Sequence, residues 1–231
     1  MVRLRSSVAA LIVSLVASSA LAAMPSGDEM LTHIAAMQPA ATPFVVNYVE
    51  VPSQGIARVA VRVLSDGQGR ARIDLQDLQG GVSRSRFFGA VTQGAVESLD
   101  RAPIWLQWWM ARPATMIAKV VGIDAGVRSL GHADGEILWV VGASPKQQEV
   151  PQLHVERETG RLRRAVDAGD AGPIAPARLD EYVTHEGVVT RFPKRLTLRI
   201  NRRDVVLVNT WLREGDATQF GPEEFLPAKT R

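Results

Sequence analysis

The spacing of apolar and polar side chains changes character twice along this chain. Ser26 and Glu29 have the spacing of a capping box, and apolar residues then recur at helical intervals as far as Pro39. This pattern predicts a short amphipathic helix near the start. From Phe44 the apolar positions alternate with polar ones, which is typical of half-buried β-strands.

The alternating pattern predicts about ten strands joined by tight turns. Ser65-Asp66-Gly67 and Ala133-Asp134-Gly135 are turn signals between such strands. Residues 167–176 are rich in Gly, Ala, Asp and Pro and predict a loop, and 218–227 predict a short packed tail. The predicted strands are 44–51, 59–64, 70–78, 83–89, 127–132, 137–141, 152–157, 162–166, 178–184, 195–200 and 205–212.

The alternation stops between Ala95 and Val121, where the pattern becomes helical. A break at Arg112-Pro113 predicts two short helices, because proline disfavours helix in the residue before it. In the first helix, three of the five tryptophans lie at i, i+3 and i+4, and Gln107 is the one polar residue between Ile104 and Ala111. A helix that is apolar on nearly every side is expected to be covered on every side.

A long antiparallel sheet has to hide its edges and one apolar face. Curling the sheet around the helices achieves both. We therefore expect an α+β fold that is mostly antiparallel: an incomplete, curved β-barrel of about ten strands with a helical lid, forming a single domain over 23–231.

The first residues have the features of a secretory leader. Arg3 and Arg5 precede an uncharged, largely apolar run of fifteen residues from Val8 to Ala22, which ends in the cleavage signal Ala20-Leu21-Ala22. The run is shorter than the roughly 20 residues that span a bilayer, so we expect a signal peptide over 1–22. No cysteine is present, which excludes disulfides, thiolate catalysis and lipidation of a cysteine at the leader junction. We expect a soluble periplasmic protein.

Charge and motifs provide little support for nucleic-acid binding or for catalysis. Without the leader the chain has 25 basic and 24 acidic residues, a balance that argues against a nucleic-acid partner recruited by charge. The four histidines, His33, His132, His154 and His185, lie in different predicted elements without the H-E-x-x-H spacing. We therefore expect no catalytic residues, no metal and no cofactor.

Two interpretations of the tryptophans stay open at this point. They either fill a core without any ligand, or form one wall of an apolar cavity suited to acyl chains. The cavity interpretation has nine candidate lipid-binding residues, which are Phe87, Phe88, Ile104, Trp105, Trp108, Trp109, Met110, Met116 and Ile117. Arg58 and Arg62 lie on an otherwise apolar strand and would need a carboxylate or a ligand headgroup if they pointed inward.

Arginines also cluster at 157–164 and at 199–203. Alternation along antiparallel strands favours a solvated face for both clusters. The functional alternative is docking to acidic lipid headgroups or to a membrane partner.

Several phrases resemble the LolA-like periplasmic family of outer-membrane lipoprotein-sorting and carrier proteins. The phrases run over 134–141, 151–160 and from Tyr182 through 192–196, together with Asn209 and 220–227. The resemblance implies a curved, incomplete barrel closed by a helical lid over an apolar cavity for acyl chains. In these carriers an arginine on a barrel strand holds the lid shut, and Arg58 and Arg62 are the lid-latch candidates here, although neither lies in a matching motif.

The sequence therefore predicts a non-catalytic periplasmic carrier for lipoprotein acyl chains or other lipids, with an envelope membrane protein as donor or acceptor. The alternative is a periplasmic sensor or protein-interaction module on the same fold, without a lipid cargo.

Overall fold

Within the described residues, twelve strands form one continuous sheet. The computed structural model describes residues 24–81, 83–89, 95–144, 146–147, 149–167, 174–185, 188–200, 203–215 and 222–226, so the predicted leader and most of the predicted loop at 167–176 lie outside it. The strands are β1 (Phe44–Glu50), β2 (Val59–Ser65), β3 (Ala71–Asp77), β4 (Arg84–Gly89), β5 (Val96–Ser98), β6 (Arg128–Ala133), β7 (Glu136–Val141), β8 (Gln152–Glu156), β9 (Leu162–Val166), β10 (Ile174–His185), β11 (Val188–Ile200) and β12 (Arg203–Glu214).

The strand order is β5-β4-β3-β2-β1-β12-β11-β10-β9-β8-β7-β6, so the first strand pairs with the last. Neighbouring strands are antiparallel except β4 and β5, which are parallel. Among the described strands, β5 and β6 form the two edges and the sheet stays open. The predicted fold class, an unclosed and curved antiparallel sheet with helices, is confirmed, with twelve strands in place of about ten.

Three α-helices accompany the sheet within the described residues. They are α1 (Gly27–Met37), α2 (Ile104–Trp109) and α3 (Ala114–Val121). Both hydrogen bonds of the predicted capping box are present at the start of α1: the hydroxyl of Ser26 accepts from the N–H of Glu29 at 3.2 Å, and the Glu29 carboxylate accepts from the N–H of Ser26 at 2.6 Å. The predicted break between α2 and α3 is also present. Ala111 adopts the left-handed conformation there, with φ of 55°.

The prediction of helix from Ala95 onward was wrong at its start. Residues Val96–Ser98 form β5 and pair with β4, with Val96 beside Phe87, and a 3₁₀ helix follows at Leu99–Arg101. Strand β5 has only three residues, which is too short for an alternating pattern to be recognised in the sequence.

The two central helices must cross the sheet because β5 and β6 lie at its opposite edges. The chain between these strands contains α2 and α3, and both pack on the concave face. Side chains alternate accordingly: Val61 and Val63 are buried beneath the helices, and Arg62 between them is exposed. The core therefore lies between the concave face of the sheet and the helices.

A smaller apolar cluster lies on the opposite face. Val45 and Leu64, which are register partners on β1 and β2, pack with Phe225 of the 3₁₀ helix Pro222–Phe225. This contact attaches the described part of the predicted C-terminal tail to the sheet.

Candidate functional site

The tryptophan helix α2 is buried along its whole length. Every residue from Ile104 to Trp109 is buried, as the apolar pattern predicts. Gln107 is satisfied inside the protein, since its amide donates to the carbonyl of Ala102 at 2.8 Å and accepts from Arg112 at 2.9 Å.

Trp109 lies at the centre of an aromatic cluster. Its ring centroid is 4.7 Å from that of Trp105, 5.4 Å from that of Phe192 and 6.0 Å from that of Tyr48. Phe44 completes the cluster at 6.4 Å. Trp105 and Trp109 therefore fill the space between α2 and strands β1 and β11.

Trp108 occupies a different environment and lines a cleft of about 390 Å³. The cleft lies beside the end of α1, the β8–β9 turn, and strands β10, β11 and β12. One part of its lining is apolar and consists of Met37, Pro39, Trp108 and Leu162. The polar part consists of Thr159, Arg161, Tyr182, Thr190, Arg191 and Glu214.

The remaining candidate residues lie elsewhere. Met110 is buried in the main core, together with Ile104, Ile117 and Phe88. Met116 on α3 is 47% exposed. Phe87 is the register partner of Arg72 on β3, whose guanidinium lies 5.3 Å from the centre of the Phe87 ring. Of the nine candidates, Trp108 is the one that joins the described lining of the cleft.

Sequence reasoning missed Arg191, which lies on β11 and lines the cleft. Its guanidinium donates to the carbonyls of Ala40 at 3.3 Å and Thr42 at 3.1 Å, and lies 2.9 Å from the carboxylate of Glu214. These bonds attach the connection between α1 and β1 to the sheet. No local signal indicates this role, because its partners at Ala40 and Thr42 are about 150 residues away in the chain.

Arg58 and Arg62, the two latch candidates, are exposed. The register places Arg62 beside Asn47 and Asp74, and alternation puts this row on the face opposite the helices. The backbone N–H of Arg58 donates to the carboxylate of Glu50 at 2.8 Å. The arginine that donates hydrogen bonds to the α1–β1 connection is Arg191.

The arginine cluster at 157–164 is divided among three environments. Arg157 is exposed, which fits the expected solvated face. Arg163 is buried and pairs with Asp134 and Glu156, and for this residue the expectation was wrong. The pairing of β8 with β9 shifts register at this position: His154 pairs with Arg164 and Val155 with Leu162, so Arg163 between them has no partner in the register, and simple alternation is disrupted. Arg161 lines the cleft.

Two titratable groups on β8 and just after β9, His154 and Asp167, are largely buried. Burial raises the pKa of Asp167, just after β9, to about 6, although its carboxylate accepts a hydrogen bond from the N–H of Ile104, which lowers the pKa. Burial, and then the nearby charge of Arg164, lower the pKa of His154 to about 4.

The described ranges contain no group of three or more His, Asp or Glu side chains placed to hold a metal ion. Over the same ranges, no helix combines the length and the apolar character needed to cross a membrane.

Solved structures with a similar arrangement of strands and helices come from bacteria. A LolA superfamily protein from Nitrosomonas europaea is 13% identical, with a TM-score of 0.48, over 88% of this chain and 99% of that one. A DUF1329 family protein from Desulfovibrio piger is 9% identical, with a TM-score of 0.42, over 87% and 95%. A putative outer membrane lipoprotein-sorting protein domain from Vibrio parahaemolyticus is 9% identical, with a TM-score of 0.41, over 86% and 97%. No family model matches the sequence, and no curated protein matches it.

Proposed function

We propose that this protein binds the hydrocarbon chain of a lipid or lipoprotein in the cleft beside Trp108 and carries it through the periplasm without catalysing a reaction. The observation that supports the proposal is the cleft itself, which is lined by Trp108 of the buried helix, by Met37 and Leu162, and by polar side chains. Apolar side chains that bury a ligand, together with polar groups that orient it, are the usual components of a small-molecule site.

The size of the cleft fits such a ligand. Its volume of about 390 Å³ lies within the range of roughly 300–1,000 Å³ that is usual for small-molecule sites. Each methylene group that leaves water for an apolar wall contributes about 0.8 kcal/mol. A chain of several methylenes therefore gains enough free energy to bind without any covalent step.

The periplasmic location is supported by the predicted leader over 1–22. An envelope membrane protein would load or unload the cargo, since a hydrocarbon chain passes between a membrane and a carrier.

Tryptophan fluorescence tests the proposal at the level of one residue. The probe is a medium-length alcohol brominated at its terminal carbon, because bromine quenches nearby indoles and the hydroxyl head has no charge. We expect saturable quenching in the natural chain and loss of most of it in Trp108→Phe. The matched control is Trp211→Phe, because Trp211 on β12 is 46% exposed and is the register partner of Asn47. Absence of saturable quenching, or quenching that survives in Trp108→Phe, would overturn the proposal.

A second candidate is a protein-interaction or sensor module without a lipid cargo. It is favoured by one observation, the close packing of Trp105 and Trp109 against strand aromatics, which leaves that part of the interior filled. Such a module would show no saturable quenching by the alcohol.

A further inference from the structure

The cleft beside Trp108 contains an excess of positive charge. Arg161 and Arg191 line it together with one carboxylate, that of Glu214. A purely apolar cargo would need neither arginine there. The question is therefore whether these two guanidinium groups are already fully engaged by the protein.

Arg161 is only loosely paired. Its side chain is 32% exposed, and its guanidinium lies 3.7 Å from the carboxylate of Glu156, beyond the 2.7–2.9 Å of a strong charge-assisted hydrogen bond. Glu156 is itself shared, because it lies 3.5 Å from Arg163 and accepts a hydrogen bond from the hydroxyl of Thr159. The other neighbour of Arg161 is the ring of Tyr182, at 5.5 Å. Arg161 therefore keeps capacity for a further anion.

Arg191 is deeply buried but incompletely bonded. Its side chain is 6% exposed, and its Nε has no hydrogen-bond partner among the described residues. The guanidinium lies 5.4 Å from the centre of the Phe44 ring and 5.2 Å from that of Phe192, so two rings that cannot accept a conventional hydrogen bond occupy part of its surroundings. Its one paired carboxylate, Glu214, is 34% exposed. The terminal nitrogens of Arg191 already donate to Ala40 and Thr42, so the unmet donor is Nε, and a buried N–H donor without an acceptor is costly.

We infer that the cleft recognises the anionic headgroup of an amphiphile, a single carboxylate or phosphate held by Arg161 and Arg191, while the hydrocarbon chain lies against Trp108. This inference rests on the proposed function and names the class of lipid. Among the side chains that line the cleft, two guanidinium groups accompany one carboxylate, and Glu156 outside the lining is shared between Arg161 and Arg163, so an anionic headgroup is favoured over a neutral one. The planar fork of arginine suits both carboxylate and phosphate oxygens.

The test compares ligands that differ only in the headgroup. Laurate and dodecanol have chains of equal length, and inorganic phosphate supplies the anion without a chain. Isothermal titration in dilute buffer should show laurate binding about tenfold or more tightly than dodecanol, because only laurate forms charge-assisted hydrogen bonds. Inorganic phosphate alone should bind far more weakly than laurate.

Two arginine variants locate the effect. Arg161→Gln should abolish the preference, so that laurate binds no more tightly than dodecanol does to the same variant. Arg191→Lys keeps the positive charge but removes the fork and should reduce the preference several-fold. The matched control is Arg101→Gln, because Arg101 is exposed on the 3₁₀ helix Leu99–Arg101, away from the cleft, and should keep the preference intact. Thermal unfolding of each variant checks that the fold is retained.

The outcomes separate this inference from the proposed function. Equal binding of laurate and dodecanol by the natural chain would overturn the headgroup inference and leave the acyl-chain proposal standing. Phosphate binding as tightly as laurate would mean a free-anion site and would also overturn it. A preference for laurate that survives in Arg161→Gln would refute the assignment to this cleft. Failure of both chains to bind would end the inference and the proposed function together.

Discussion

The carboxylate of Asp167 accepts a hydrogen bond from the backbone N–H of Ile104 at 3.2 Å, which joins the residue after β9 to the first turn of α2. The two residues are 63 positions apart in the sequence. The bond supplies an acceptor at the start of a buried helix whose N-cap, Pro103, makes no side-chain capping bond. It also places an ionisable group in a position where burial raises its pKa.

Asp167 should make the protein less stable as pH rises. Its pKa is about 6 in the folded protein against an ordinary 3.8, so the folded state binds the proton more tightly. Stability from this group is present below 3.8 and is lost as pH rises through about 6, by about 3 kcal/mol in total. Asp167→Asn should remove this loss, as measured by urea unfolding at about pH 4 and about pH 7. An unchanged difference between the two pH values would contradict the assignment.

His154 should act in the opposite direction. Its pKa is lowered from 6.5 to about 4, so the unfolded chain takes up the proton first and stability falls as pH falls between these values, by about 3 kcal/mol. His154→Gln keeps an amide donor for the side chain of Gln152, which lies 2.6 Å from the imidazole Nε2. Between about pH 6.5 and pH 4, the free energy of unfolding of this variant should fall less than that of the natural chain, as measured by urea unfolding. His132→Gln, at an exposed position, is the control, and an equal effect of both variants would refute the prediction.

Trp109 should contribute far more to stability than Trp211. Trp109 is fully buried and contacts four other aromatic rings, so Trp109→Ala should cost about 3–5 kcal/mol of unfolding free energy. Trp211 is 46% exposed, and Trp211→Ala should cost less than about 1 kcal/mol. Denaturant unfolding of the two variants measures both. Similar losses would mean that the aromatic cluster is not the centre of the core.

The hydroxyl of Thr42 should hold the α1–β1 connection against the sheet. It accepts a hydrogen bond from Arg191 and donates one to the carboxylate of Glu214 at 2.9 Å. Thr42→Val keeps the shape of the side chain and removes both bonds, at a cost of about 1–3 kcal/mol. Hydrogen exchange should then speed up about tenfold or more over residues 38–43. Thr115→Val, at an exposed position on α3, is the control, and unchanged protection in Thr42→Val would show that the hydroxyl is dispensable.

Local signals explain which parts of the fold could be predicted from the sequence. The hairpin at Asp134-Gly135 could be predicted because this pair of residue types favours the positive φ angles of a tight turn. In the structure both residues adopt positive φ, 53° and 86°. The break before Pro113 and the capping box at Ser26 are equally local. Strand β5 was missed because its pairing with β4 is set by the tertiary fold.

The candidate site was predicted only in part, for the same reason. Trp108 could be identified because an apolar helix with three tryptophans stands out in the sequence. Trp108 lines the cleft, whereas Trp105 and Trp109 pack in the aromatic cluster. This difference depends on which strand side chains lie beside each ring, and the sequence does not reveal it. Arg191 holds the α1–β1 connection through the carbonyls of Ala40 and Thr42, which are distant in the sequence. An arginine followed by Phe192 on a strand does not by itself indicate such a role. Pairings between distant segments decide such roles.

The pairing of β1 with β12 has a consequence for the order of events during biogenesis. Each half of the sheet is a run of sequential neighbours, yet β1 cannot be covered until the last strand has been synthesised and delivered. Contacts between such distant segments slow folding, and an uncovered strand can pair with other chains. During synthesis the edge of β1 that pairs with β12 therefore stays open to other partners until β12 has been made.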